Sequence, residues 1–240
     1  MKNDTFLTHS IGGNTASNAR NLSMNSVQGH HHSLFGVERY ADTNTLRWSM
    51  SVGCLLDPDS PAARYSASNV YKRPILGLGM ILGGSQGNTL VISDLHLPYH
   101  HKDTFSFLEA LNHEYKFTQV LNTGDLFDHH RGSYHEDEPD ALDAESEYRQ
   151  AKKYSHELEQ MFPEMVITTG NHDFLPQRKL KTVGLPVSML SDYNKLYDLR
   201  GGWQWPKQYR FNSYGGFPVT HPMVLNKRGR WDKVIMRVKC

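Results

Sequence analysis

Thr89-Leu90-Val91-Ile92-Ser93-Asp94-Leu95-His96 opens the stretch that decides the fold. A run of β-forming apolar residues empties into a carboxylate and an imidazole two residues apart. The same event recurs at 117–121, which leads into Gly124-Asp125-Leu126-Phe127-Asp128, and at 165–168, which leads into Gly170-Asn171-His172-Asp173. Between the first two runs, Phe105, Leu108, Leu111 and Tyr115 repeat at helical spacing and predict a helix over 103–115. A second helix is predicted over 141–162, with Ala144, Tyr148, Ala151, Tyr154, Leu158 and Met161 on one stripe and Pro163 as its stop. Strands alternating with helices predict parallel β–α–β units. Ligands of open α/β sheets bind outside the carboxyl ends of the strands, so the three clusters are expected to converge.

Working outward, 5–8 is a short strand ending in His9, and Ser26-Val27-Gln28 leads into Gly29-His30-His31-His32. Between them, 14–25 is polar, with helical spacing too weak to assign an element. The β-rich runs 35–41 and 45–52 flank Asp42-Thr43-Asn44 and predict a hairpin. Pro58, Pro61 and many serines make 55–71 loop-like, 73–82 is a further strand, and Gly83-Gly84-Ser85-Gln86-Gly87 has the composition of a flexible linker. Past Asp128, 129–140 predicts an exposed loop, and 174–190 is mixed and basic. The remainder, with Trp203, Trp205, Tyr209, Phe211 and then 234–236, is strand-rich.

A chain of 240 residues can bury a substantial core without staples and is read as one domain. The 26 basic residues nearly balance the 25 acidic ones, which argues against a surface that coats polyanions in general. Two cysteines, Cys54 and Cys240, make no disulfide framework and point to a reducing, cytoplasmic setting. No apolar run approaches the ~18 residues of a membrane span, and residues 1–5 lack the apolar region of a secretory signal. The 14 histidines are an excess concentrated near the Asp-rich turns, which marks the chain as a candidate metal binder.

Asp94, His96, Asp125 and Asn171, with His9, His30 and His32, offer carboxylate, amide and imidazole donors. That mixture suits Mn²⁺, Fe²⁺ or Zn²⁺ better than Ca²⁺ or Mg²⁺, which prefer oxygen shells. Two divalent ions ~3.5–4 Å apart can clamp a phosphoryl group and activate water, and one carboxylate must then bridge them. Asp125, on the middle strand, is the candidate bridge.

Asp-x-His at 94–96, Gly-Asp-x-x-Asp at 124–128, Gly-Asn-His-Asp at 170–173, apolar-x-His at 7–9 and Gly-His-x-His at 29–32 together resemble the motifs of the calcineurin-like metallophosphoesterases. The resemblance implies an α/β fold of the metallophosphoesterase type, a two-sheet β-sandwich flanked by helices. It implies Asp94, His96, Asp125 and His32 on one metal and Asp125, Asn171, His9 and His30 on the other. His172 would act on the leaving oxygen, with Asp128 holding its imidazole. The cofactors implied are two divalent ions, Mn²⁺ first, with Fe²⁺, Zn²⁺ or Ni²⁺ as alternatives.

The motif order departs from the family, where the two histidine motifs follow Gly-Asn-His. Within a single domain over 1–240, residues 1–82 would then be the family's C-terminal part, 83–88 a linker and 89–240 its N-terminal part. This is a circular permutation, which is tolerated where the original termini lie close. It predicts that strands 73–82 and 89–93 are neighbours and that Met1 and Cys240 lie together.

Turn chemistry alone accounts for any one Asp- or Asn-bearing turn, but here three coincide. His221 competes with His9 for one ligand position, and His9 is preferred because it precedes Gly-His-x-His by 21 residues in the expected order. His31 is read as a bystander on the opposite face of a strand-like segment. His100, His101, His129, His130 and His135 are read as solvated loop residues, and Arg178, Lys179 and Lys181 as a solvated face. The tryptophans are assigned to the core and Cys54 to a small buried hydrophobe.

The expected partner is a phosphoester and no membrane, with nucleic acid a candidate substrate. Hydrolysis of a phosphodiester by a water activated between the two metals is the first reading. A phosphomonoesterase or protein phosphatase is the alternative, and a non-catalytic metal scaffold a third. Protein phosphatases of this family place Arg after Gly-Asp-x-x-Asp and end the third motif in Glu. Here His129 and Asp173 stand there, and a dianionic phosphate is left without a bidentate guanidinium.

Overall fold

A computed structural model describes residues 4–10, 15–41, 45–67, 73–134 and 138–224. Its strands form two sheets. The first joins β1 (Asp4–Thr8), β2 (Asn25–Gln28), β3 (Phe35–Ala41), β4 (Leu46–Val52) and β10 (Tyr209–Asn212) in the order β10-β1-β2-β4-β3. The second joins β5 (Gly77–Gly84), β6 (Gly87–Ile92), β7 (Phe117–Asn122), β8 (Met165–Ile167), β9 (Trp203–Gln204) and β11 (Phe217–Pro222) in the order β11-β5-β6-β7-β8-β9. The helices are α1 (Thr15–Leu22), α2 (Pro61–Ala67), α3 (Thr104–Tyr115), α4 (Ala144–Met161), α5 (Leu175–Thr182) and α6 (Tyr193–Leu196).

Strand alternation sorts the apolar residues into two layers. Leu7, Val27, Trp48, Met50 and Val52 of the first sheet meet Ile81, Val91, Leu121 and Val166 of the second, so the sheets face each other. The neighbouring positions Met80, Leu90, Ile92 and Val120 point the other way and pack on Phe107, Leu108 and Leu111 of α3 and on Ala151 and Leu158 of α4. This is the expected α/β arrangement of two sheets flanked by helices.

Two parallel sets position the site. In the second sheet β6, β7 and β8 are consecutive parallel neighbours, with Leu90 opposite Val120 and Leu121 opposite Val166. In the first sheet β1 and β2 are parallel, with Leu7 opposite Val27. All five motifs therefore leave the carboxyl ends of parallel strands.

Several elements differ from their sequence expectations. Residues 15–22 form α1, whose buried side is built from Thr15, Ala16, Asn18 and Ala19, residues too small and polar to register as an apolar stripe. The loop-like 55–71 contains α2, which starts at Pro61, a residue suited to a first helical turn. Strand β5 begins after Pro74 and runs on to Gly84, so 83–87 is no linker. Gly84 pairs with Gly87 in a tight hairpin, and β5 and β6 are antiparallel neighbours, as expected of 73–82 and 89–93. Residues 129–140 are not uniformly exposed, because His130–Gly132 forms a 3₁₀ turn with His130 buried. The expected strand near 234–236, the Met1–Cys240 proximity and His135 lie outside the described residues.

Helix α4 is capped by Asp143, whose carboxylate accepts from the N–H groups of Glu145 and Ser146. Its buried face also carries Glu147, which accepts the backbone N–H of His130 at 2.8 Å. Burial, and then repulsion from Asp128, push the Glu147 carboxyl up to about 7. A raised folded-state pKa contributes stability that is complete below the unfolded value of 4.5 and is lost as pH rises through about 7. Glu147→Gln keeps an acceptor for the N–H without the charge. Its stability relative to the parent should therefore rise between about pH 5 and about pH 8, by at most about 3 kcal/mol. Urea unfolding of both proteins at the two pH values measures this, and an unchanged difference would contradict it.

Candidate metal centre

The loops at the five strand ends bring the expected residues together as two adjacent groups, His9 with His30 and Asp125, and His32 with Asp94 and His96. In the first, His9 Nε2 lies 2.9 Å from Asn171 Oδ1, 3.1 Å from His30 Nδ1 and 3.1 Å from Asp125 Oδ2. In the second, His32 Nε2 lies 3.1 Å from Asp94 Oδ1. Asp125 Oδ2 also lies 3.9 Å from His96 Nε2, which places this carboxylate between the groups.

Second partners aim these donors. His9 Nδ1 bonds the carbonyl of Thr123 at 3.0 Å, which turns Nε2 into the site. His96 Nδ1 bonds Asp128 Oδ1 at 2.5 Å, which does the same for its Nε2. Asp94 Oδ2 accepts the His30 N–H at 3.0 Å and the Ser93 hydroxyl. Asp125 Oδ1 accepts the His172 N–H at 2.8 Å.

The backbone is strained where the donors sit. His30, Asp94, His96 and Asp125 all have positive φ, between 49° and 66°. Each such residue costs about 1–3 kcal/mol, and such strain concentrates at functional sites. Two glycines are required by close approach. A Cβ on Gly29 would fall 2.0 Å from Ser93 Oγ and 2.7 Å from Asp94 Oδ2, and one on Gly170 would fall 2.1 Å from Asp125 Oδ1.

Electrostatics show what the donors need. Asp94, Asp125 and Asp128 are fully buried. Burial opposes their ionisation, but the facing imidazoles prevail and hold all three carboxyls below the usual range. Burial likewise opposes charge on His9, yet Asp125, Asp94 and Asp173 together raise its imidazole to about 10. The carboxylates thus favour positive charge within the site. His96 Nε2 is buried with no hydrogen-bond partner among the described residues, 3.9 Å from both Asp94 Oδ1 and Asp125 Oδ2. A buried, unpartnered nitrogen facing two carboxylates, amid mixed N and O donors, fits a divalent metal ion.

His172 sits beside His96, with ring centroids 4.6 Å apart. Its Nδ1 bonds the Asp128 carbonyl at 2.8 Å and lies 3.3 Å from Asp128 Oδ1. Asp128 therefore holds His172 mainly through its backbone, and its carboxylate is nearer His96. His221 does not compete with His9, for it is buried in β11 with its ring against Phe107. The segment after β2 is a turn and not a strand. His31 consequently packs its ring on His30 at 5.2 Å and belongs to neither group.

The other loop histidines correct the expectation of solvation. His129 bonds the His172 carbonyl at 3.1 Å and the Tyr197 hydroxyl at 3.0 Å. His100 packs on Phe105 and Tyr154, and His101 is half-buried. Lys179 and Arg178 approach the Tyr134 ring at 4.1 and 4.7 Å, so this face is not merely solvated. Cys54 and Trp203 are buried as expected.

Asp173 is the residue whose role the sequence hid, although its place in Gly-Asn-His-Asp was the available signal. Its fully buried carboxylate accepts the N–H groups of Asp125 at 2.8 Å, Gly170 at 2.8 Å and Phe127 at 3.2 Å, pinning two motif loops to each other. Burial, then repulsion from Asp125, push its carboxyl up to about 7. Asp173→Ala would leave those N–H groups unpaired, each worth about 1–3 kcal/mol. A loss of about 3 kcal/mol in urea unfolding is expected, and a loss below about 1 kcal/mol would mean that the loops hold without this clamp.

Residues 87–235, more than half of the chain, match the family model described as calcineurin-like phosphoesterase. No curated protein and no solved structure matches the chain. With mixed carboxylate–imidazole groups at the ends of its parallel strands, this chain belongs to the calcineurin-like phosphoesterases and is a metal-dependent phosphoester hydrolase.

Proposed function

We propose that the protein is a dinuclear phosphodiesterase, with nucleic acid as a candidate substrate. Asp94, His96, Asp125 and His32 would hold one ion and Asp125, Asn171, His9 and His30 the other, with Asp125 shared. Mn²⁺ is the preferred metal for this donor set, with Fe²⁺, Zn²⁺ and Ni²⁺ as alternatives. Two divalent ions held by these residues would supply Lewis acidity toward a phosphoryl oxygen and toward a water nucleophile. His172 donates a proton to the departing oxygen, and Asp128 and His129 fix its ring and backbone.

The observation that favours a diester concerns the missing guanidinium. His129, immediately after Gly-Asp-x-x-Asp, spends its ring nitrogens on the His172 carbonyl and the Tyr197 hydroxyl. Arg131 donates to the carbonyls of Leu142 and Ala141 at 2.9 and 3.0 Å. Neither serves as a bidentate clamp for a dianionic monoester, whereas a monoanionic diester needs less countercharge. A phosphomonoesterase remains the alternative.

Metal-free protein reconstituted with Mn²⁺ should hydrolyse bis-(p-nitrophenyl) phosphate faster than p-nitrophenyl phosphate. The reverse preference would establish the monoester reading. Asp125→Asn should weaken both metal sites together in a calorimetric titration. His172→Asn should retain metal and lose about 10²–10⁴-fold in kcat, the usual size of general acid–base assistance. Loss of metal from that variant would make His172 a ligand.

The motif order supports a circularly permuted single domain. The family match begins at residue 87, and His9, His30 and His32 lie ahead of it. The β5–β6 hairpin joins the two parts directly. A variant with residue 240 linked to residue 1 and opened within 83–87 should fold and bind Mn²⁺ with the stoichiometry of the parent. A soluble, monodisperse variant without metal would overturn the permutation.

A further inference from the structure

We propose that His130 is a positioning residue, whose Nδ1–H hydrogen-bonds Asp128 Oδ2 and thereby fixes the carboxylate that serves His96 and His172. Asp128 is fully buried and works through Oδ1, which lies 2.5 Å from His96 Nδ1 and 3.3 Å from His172 Nδ1. Its Oδ2 has no hydrogen-bond partner among the described residues. The His130 imidazole faces it, with Nδ1 at 3.6 Å. His130 is itself 1 % exposed, and neither of its ring nitrogens has a partner among the described residues.

Two unpartnered buried polar atoms facing each other are a pair in waiting. Leaving either unmade is costly in a buried setting, and a small torsion of either side chain brings them within hydrogen-bond distance. The backbone aims the ring. His129 takes a left-handed conformation with φ 53°, and the following 3₁₀ turn is tied down by the His130 N–H to Glu147 Oε1 bond. The Tyr99 ring lies against His130 edge to face, at 6.1 Å between centroids. With Oδ2 held, Oδ1 cannot swing away from the two imidazoles it serves. A carboxylate anchored at only one oxygen would be free to rotate.

The inference rests on the reading of His172 as the group acting on the leaving oxygen, so its test has one arm that needs no turnover. In the metal-free protein, the His130 Nδ1 proton should be seen by ¹⁵N-edited NMR as a slowly exchanging, hydrogen-bonded signal that is lost in Asp128→Asn. Its absence from folded wild-type protein would overturn the proposal. The second arm is kinetic, at saturating Mn²⁺ with bis-(p-nitrophenyl) phosphate. His130→Leu should lower kcat about 10–100-fold with KM unchanged, the usual cost of losing an outer partner in a metal site. His130→Asn, whose amide nitrogen takes roughly the place of Nδ1, should restore most of that loss. Wild-type kcat in His130→Leu, or equal losses in both variants, would reduce His130 to packing and overturn its positioning role. A wild-type protein inactive on both phosphoesters, with the Nδ1 proton present, would count against the phosphodiesterase reading and leave the hydrogen bond standing.

Discussion

Four buried carboxylates crowded at the carboxyl ends of parallel strands are the constraint on which the rest of this structure depends. Asp94, Asp125, Asp128 and Asp173 are all at most 2 % exposed. An uncompensated buried charge is among the costliest features a fold can carry. The chain compensates each differently. Asp173 takes backbone N–H groups, Asp128 takes imidazoles, and Asp94 takes His32, the Ser93 hydroxyl and the His30 N–H. Asp125 has His9 and the His172 N–H, and lies within reach of His96. The remaining negative field draws in positive charge, which is the work of a metal ion in this family.

The scaffold makes that crowding sustainable. Strands β6, β7 and β8 are locked in register as neighbours, and the loops leaving them are cross-linked by backbone bonds. The Asp94 N–H donates to Gly124 O, the Thr123 N–H to Ile92 O and the Thr168 N–H to Asn122 O. Left-handed backbone at Asp94, His96 and Asp125 turns each loop sharply enough to point its side chain back at its neighbours. A stack of Phe127 on Tyr197, with centroids 3.8 Å apart, anchors the Gly-Asp-x-x-Asp loop from behind. The energy of β-sheet pairing and aromatic packing thus sustains a locally strained site.

The histidine excess divides by environment and not by sequence neighbourhood. His9, His30, His32 and His96 face carboxylates at the mouth, whereas His129 and His130 follow Asp128 immediately yet turn inward. One holds the His172 carbonyl and the other faces Asp128 Oδ2. Position along the chain placed them in a polar loop. Only the left-handed turn at His129 sends their rings into the protein, where burial lowers the His129 imidazole to about 4.

The sequence by itself determined the strand-end motifs, the α3 and α4 helices and the membership of Asp94, His96, Asp125, Asn171, His9, His30 and His32 in one cluster. These were legible because apolar periodicity marks the strands and because a carboxylate or imidazole directly after a strand has one direction to point. The tertiary structure alone decided the rest. Helix α1 buries small polar residues that leave no periodic signal, and its place is set by packing on β2 and β4. The glycines at 83–87 have the composition of a linker, yet pairing of β5 with β6 closes them into a hairpin. Asp173 acts as a clamp, and His130 faces Asp128, only because backbone N–H groups and side chains distant in sequence meet there. Such contacts are set by three-dimensional register, which no local pattern encodes.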